Sequence, residues 1–330
     1  MLRTAVFALF SICAAAASAE SLANVLSSEG YWQARAQRRF GNHLFIASTM
    51  NGHRAALLID TSAPATVIHR ASAATFGLAT AGTALVRRGV FGEVMNEYGH
   101  ASLRDLRIGD RTLGAVPVVI ADQAARVDPP EFLPIAKLKW NAKRKALGFY
   151  TRIDPVDGLL GSDVLRRCAA ILDCGHQMLY LRPSSVAGGV DPGRLSTFLA
   201  DRGFARIPMH MSGGKFEVPA AINGHEARVI VDTGSSFTLL GKNVAAAAHV
   251  FSAPVRLAYD VGGNRLEPLN NATIKDLRVG NFQMENAEIN VANIATGADA
   301  GLLGIDQLSM NFAVIDFRGS ALYLRHPDRR

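Results

Sequence analysis

The chain has 330 residues, of which 49% are hydrophobic and 19% charged, with a net charge of +7. That is ample apolar material for a packed core, and it excludes a disordered or low-complexity chain. Arg3 is the only charged residue among the first nineteen, so the rest carries +6, a modest excess that does not point to nucleic acid.

In chain order, Arg3 is followed by the apolar run AVFALFSICAAAA and by Ala17-Ser18-Ala19. A positive end, a short apolar core and an A-x-A site read as a signal peptide over residues 1–19. The expectation is an exported protein, periplasmic or secreted, with no integral membrane segment after cleavage.

Two hairpins come next, one in each half. HLFIASTM and HRAALLID flank Asn51-Gly52, and FEVPAAI and HEARVIVD flank Asn223-Gly224. Asn-Gly between apolar runs predicts a two-residue β-turn, because both residues accept positive φ. Each hairpin ends on an aspartate, Asp60 or Asp232. A short strand follows each (TVI, FTLL), then a predicted helix over 70–76 and over 242–249.

The two halves are one unit repeated. NGHRAALLID at 51–60 matches NGHEARVIVD at 223–232, 172 residues on, and LRDLRIGD at 103–110 matches IKDLRVGN at 274–281. DGLLGSDVL at 157–165 and ILDCGHQMLYL at 171–181 match AGLLGIDQL at 300–308 and VIDFRGSALYL at 314–324, now 143 residues on. The drop in offset places an insertion of about 28 residues in the first copy. It falls within 122–157 and carries Lys137, Lys139, Lys143, Arg144 and Lys145, read as a solvated basic face. The Pro-, Gly- and Ser-bearing stretch 183–203 reads as a linker. The domain reading is therefore one lobe over 20–182, a linker, and a second lobe over 204–330.

Equivalent residues of two such copies can meet on a pseudo-two-fold axis. Two carboxylates in contact cannot both ionise easily, so a pair holds a general acid and a general base at one pH. A water between them can then attack an amide with neither metal nor cofactor.

The sequence VIVDTGSSFTLL, the parallel LLIDTSAPATVI and a Gly-Leu-Leu-Gly downstream of each resemble the aspartic protease family. The resemblance covers nearly all of the chain beyond the signal peptide. Nearer still are the bacterial retropepsin-like proteins, here in a tandem, pepsin-like form. The resemblance implies an all-β fold: two pseudo-symmetric β-barrel lobes with a few short helices and an active cleft between them. It implies a monomeric aspartic endopeptidase acting on polypeptides at mildly acidic pH, without cofactor, metal or nucleic acid.

By position, Asp60 and Asp232 become the catalytic pair. Thr61 and Thr233 become an interlobe clasp through hydroxyl-to-backbone bonds. Gly234 allows close approach, and Ser235 is placed to bond its neighbouring aspartate where the matching Ala63 cannot. Leu160-Gly161 and Leu303-Gly304 pass beneath the two loops, and hairpins near 89–94 and 261–266 occupy the flap region.

Ser62 departs from the pattern, standing where the family has glycine. At negative φ its side chain fits; otherwise it pushes the loops apart. The second case gives the alternative reading, a peptide-binding pseudoprotease without turnover. Other chemistries lack their motifs: there is no H-E-x-x-H, no G-x-S-x-G elbow and no P-loop. Asp173 and Asp316 read as hairpin aspartates, and Asp163 and Asp306 as helix or turn residues. Cys168 and Cys174 read as free thiols flanking a strand.

Overall fold

The computed structural model describes residues 20–39, 42–80, 84–88, 94–122, 139–141, 146–148, 156–182, 191–256, 269–294 and 301–327. The expected signal peptide and both flap tips lie outside these residues. No helix among them is long and apolar enough to cross a membrane.

Both predicted hairpins form. Leu44–Met50 pairs with His53–Ile59, and Lys215–Ile222 with His225–Asp232. Their turns have positive φ at Asn51, Gly52, Asn223 and Gly224, as this turn type requires. Each turn asparagine also anchors the element that follows its aspartate. Asn51 Nδ2 donates to the Phe76 carbonyl and Asn223 Nδ2 to the Ala248 carbonyl. The predicted helices appear as Arg70–Ala73 continued by a 3-10 turn Ala74–Phe76, and as Lys242–Ala247.

Each half then inserts a later strand between the second strand of its hairpin and the short strand that follows the aspartate. Gly158–Leu160 runs parallel to His53–Ile59 and antiparallel to Val67–His69. Gly301–Gly304 does the same between His225–Asp232 and Leu239–Gly241. Around this motif one lobe builds a ten-stranded sheet. The other builds an eight-stranded sheet in which Lys215–Ile222 pairs on both sides, with His225–Asp232 and with Leu269–Val279. Of the insertion, the described part is a two-stranded ladder, Lys139–Asn141 against Ala146–Gly148.

A third sheet belongs to both halves. Its six strands run Trp32–Arg35, Met178–Leu181, Ile171–Asp173, Val314–Asp316, Ala321–Leu324 and Ala205–Pro208. At its centre the matched segments ILD and VID pair with each other, Leu172 opposite Ile315. Residues equivalent by sequence are thus partners in space, which defines a pseudo-two-fold axis. Asp173 and Asp316 accept backbone N–H groups of the turns that follow them, as expected of hairpin aspartates.

The linker region 183–203 holds more than a tether. Pro192–Ala200 is a helix, capped by the Asp191 carboxylate on Gly193 N–H at 2.8 Å and opened by proline. Together with the helix Leu22–Ser28 it covers the shared sheet. Val25, Leu26, Leu195, Phe198 and Leu199 are buried against Ile171, Tyr180, Val314 and Tyr323. Cys168 and Cys174 are free and buried, as expected. They do flank one strand, a short one: Cys168 closes the helix Ser162–Arg167, and Ile171–Asp173 leads straight into Cys174.

Candidate active site

Asp60 and Asp232 stand at the ends of their hairpin strands, where the lobes meet. Asp60 is 8% exposed and Asp232 4%. The loops that follow them are tied across the axis by four hydrogen bonds. Thr61 Oγ1 donates to the Val231 carbonyl at 2.6 Å and accepts from Thr233 N–H at 3.0 Å. Thr233 Oγ1 donates to the Ile59 carbonyl at 2.7 Å and accepts from Thr61 N–H at 3.1 Å. Both threonines are buried, so all four bonds are shielded from water, where a lost partner is costly. A hydroxyl is the group required here, because it donates and accepts at once.

The two carboxyls have unequal surroundings. Asp60 Oδ1 accepts from Ser62 N–H at 2.9 Å, Ser62 Oγ at 2.9 Å and Ala63 N–H at 3.0 Å. Asp232 Oδ1 accepts from Gly234 N–H at 2.9 Å, and the Ser62 hydroxyl is near enough to favour its charged form as well. Burial raises both pKa values above the usual carboxylate range, and for Asp232 the Asp60 charge adds to the effect, lifting it to about 7. The better-solvated carboxyl ionises first. Three donors make that Asp60, and its charge then holds the proton on Asp232.

Gly234 is needed for its missing side chain. A Cβ there would lie 2.6 Å from Asp60 Cγ and Oδ2. Its counterpart Ser62 does carry a side chain. Neither position has a positive φ, so serine is unstrained, and the clasp beside it is complete. The hydroxyl is turned onto the Asp60 carboxylate. Ser235 takes the opposite course to the one expected. Its hydroxyl donates to the Phe237 carbonyl at 2.7 Å, while Gly234 N–H serves the Asp232 oxygen. The matching Ala63 bonds Asp60 after all, through its backbone.

Leu160 and Leu303 lie in the strands Gly158–Leu160 and Gly301–Gly304, opposite Ile59 and Val231. The Leu160 carbonyl accepts from Asp60 N–H at 3.1 Å. Gly161 and Gly304 sit hard on backbone, Ala65–Thr66 in one lobe and Phe237–Thr238 in the other.

Sequence reasoning missed the network behind them. Gly161 N–H donates to Thr66 Oγ1 at 3.1 Å, and Thr66 Oγ1 donates to Asp163 at 2.8 Å. Gly304 N–H, Thr238 Oγ1 and Asp306 repeat it at 3.0 and 2.8 Å. Asp163 and Asp306 do open helices, as expected, and also brace the catalytic loops. The signal was present as a threonine six residues after each aspartate.

Groups of His, Cys, Asp and Glu arranged to hold a metal are absent among the described residues. The site is two buried, unequally solvated carboxyls on loops locked across a pseudo-two-fold axis, the arrangement of an acid–base pair. The sequence pattern of the family described as Aspartyl protease matches residues 46–164 and 218–307. The chain belongs to that family.

Solved structures similar to this chain include an aspartic proteinase from Irpex lacteus, 12% identical, covering 90% of this chain and 98% of that one, with a TM-score of 0.49. A retropepsin-like aspartic protease from Rickettsia conorii is 23% identical over 38% of this chain and 91% of its own, TM-score 0.30. Basic 7S globulin from soybean is 10% identical over 89% and 94%, TM-score 0.42. Among curated proteins none matches.

Proposed function

We propose that this protein is an exported aspartic endopeptidase, with Asp60 as general base and Asp232 as general acid. The observation that carries the reading is the inequality of the two carboxyls: two backbone donors and the Ser62 hydroxyl on Asp60, a single backbone donor on Asp232, and a proton held on Asp232 up to about pH 7. Export rests on the positively charged, apolar and A-x-A pattern of residues 1–19.

In this mechanism a water lies between the carboxyls. Asp60 takes one of its protons while the oxygen attacks the peptide carbonyl carbon, and Asp232 gives its proton to the carbonyl oxygen. The product is a neutral gem-diol. Asp60 then returns its proton to the amide nitrogen, the C–N bond breaks, and a gem-diol hydroxyl reprotonates Asp232. No covalent enzyme intermediate forms.

The competing reading, a peptide-binding protein without turnover, draws on Ser62. Its premise is a loop forced apart, and Ser62 instead adds a donor to the base beside an intact clasp, which favours the enzyme. The test is incubation of the chain from Glu20 onward with a diverse peptide library between pH 4 and 7, with Asp232→Asn as control. Cleavage by wild type alone supports the proposal. Binding without cleavage by either protein supports the competing reading.

A further inference from the structure

Lys215 opens the strand Lys215–Ile222, whose register sets Glu217 opposite Ile230 and Val218 opposite Val229. Carried two residues further, that register places Lys215 across from Asp232. Successive side chains of a strand point to opposite faces, and cross-strand partners share a face. Phe216 and Val231, one step inward, are both buried in the core. Lys215 and Asp232 therefore occupy the other face, toward the junction of the lobes.

The backbone beside Lys215 is fixed there. Gly214 packs on Pro64 of the first catalytic loop, and its carbonyl accepts from Ser162 Oγ at 3.3 Å. The lysine's charge reaches both catalytic carboxyls and lowers the pKa of each.

Lys215 is half-buried, and no hydrogen-bond or ion-pair partner takes up its ammonium among the described residues. Glu217, the next carboxylate along the same face, is already beside Arg228 at 3.9 Å. The ionised Asp60 acts on this charge through space only, so the three ammonium N–H donors stay open to a carboxylate brought from outside.

The other lobe does not repeat this charge. By the register of Phe45 with Leu58, His43 stands across from Asp60 as Lys215 stands across from Asp232. His43 is buried against Ser236 Oγ at 2.8 Å, and burial pushes its pKa down to about 4. It is therefore neutral near pH 6. The cleft has a cation on the Asp232 side and none at the matching position.

We propose that Lys215 determines substrate specificity, its ammonium receiving an acidic side chain of the peptide close to the scissile bond. This rests on the peptidase reading above and adds the class of substrate.

The test uses peptides that differ only in Glu or Gln at each of the three positions on either side of the cleaved bond, assayed at pH 6 and low salt. A partly exposed ion pair of about 1 kcal/mol corresponds to roughly a fivefold preference. Wild type should favour Glu over Gln by about that factor at one position, less so in high salt. In Lys215→Met the ratio should fall to about one, whatever the absolute rate. In Lys215→Glu the preference should pass to Lys at the same position.

An unchanged Glu-to-Gln ratio in Lys215→Met overturns the proposal, even if the pH profile moves. So does a wild type indifferent to Glu at every position. Should wild type cleave none of the peptides, the peptidase reading fails separately. Fluorescence anisotropy of the same labelled peptides then decides the Lys215 proposal by the same ratio.

Discussion

Replacing Asp232 by asparagine should stabilise the folded protein, and by an amount that depends on pH. A carboxyl whose pKa is higher folded than unfolded holds its proton more tightly in the folded chain. Its stabilising contribution is complete below the unfolded value and is lost as the pH rises through the folded one. For Asp232 those values are 3.8 and about 7. Each tenfold change in proton affinity is worth about 1.4 kcal/mol, so ionising Asp232 costs the folded chain on the order of 4 kcal/mol by pH 8.

Asp232→Asn removes that cost while keeping an oxygen for Gly234 N–H. The variant should match wild type near pH 4, apart from a constant offset, and gain steadily to a few kcal/mol by pH 8. His43 works in the opposite sense, since burial lowers its pKa from 6.5 to about 4 and wild type loses stability as it protonates. It is present in both proteins and cancels in their difference. Urea denaturation followed by tryptophan fluorescence at each pH from 4 to 8 measures that difference. A difference constant across this range would refute the reasoning, because Asp232 would then titrate as an ordinary carboxyl outside any pair.

Thr61→Val removes a hydroxyl that donates to Val231 and accepts from Thr233. With two buried backbone groups orphaned, a loss of about 2–5 kcal/mol is expected in denaturant titration, and Thr61→Ser should recover most of it. Ser62→Gly deletes one of three donors to the Asp60 carboxylate. The acidic limb of the pH–rate profile should therefore move up by about one pH unit. Gly234→Ala places a methyl against the Asp60 carboxyl. It should cut kcat by at least about a hundredfold through misplacement of the base, as single-turnover kinetics would measure.

Much of the fold could be read from repetition. The hairpins were legible because Asn51-Gly52 and Asn223-Gly224 have the left-handed backbone that such turns demand. The aspartates were legible because two copies of one motif imply an axis. What remained hidden was pairing between distant segments. Nothing local in ILD or VID says that they pair with each other rather than within their own lobes, yet Leu172 opposite Ile315 is what joins the halves.

The helix Pro192–Ala200 was obscured for another reason. Asp191-Pro192-Gly193 can be read as a linker or as a helix start, and burial against the shared sheet decides it. At the site, the clasp was expected from the family resemblance, and a hydroxyl meets its need to donate and accept at once. The residue types did not predict where the serine hydroxyls point. Ser62 and Ser235 are chemically alike and turn to different acceptors, the Asp60 carboxylate and the Phe237 carbonyl.

The central claim is that Asp60 and Asp232 act as one acid–base pair. The most direct measurement is kcat/KM for a cleaved peptide as a function of pH, for wild type, Asp60→Asn and Asp232→Asn. The account predicts a bell for wild type whose basic limb falls near pH 7, where Asp232 loses its proton, and loss of turnover in both variants. A wild-type rate that keeps climbing through about pH 9, or full turnover in either variant, would contradict it.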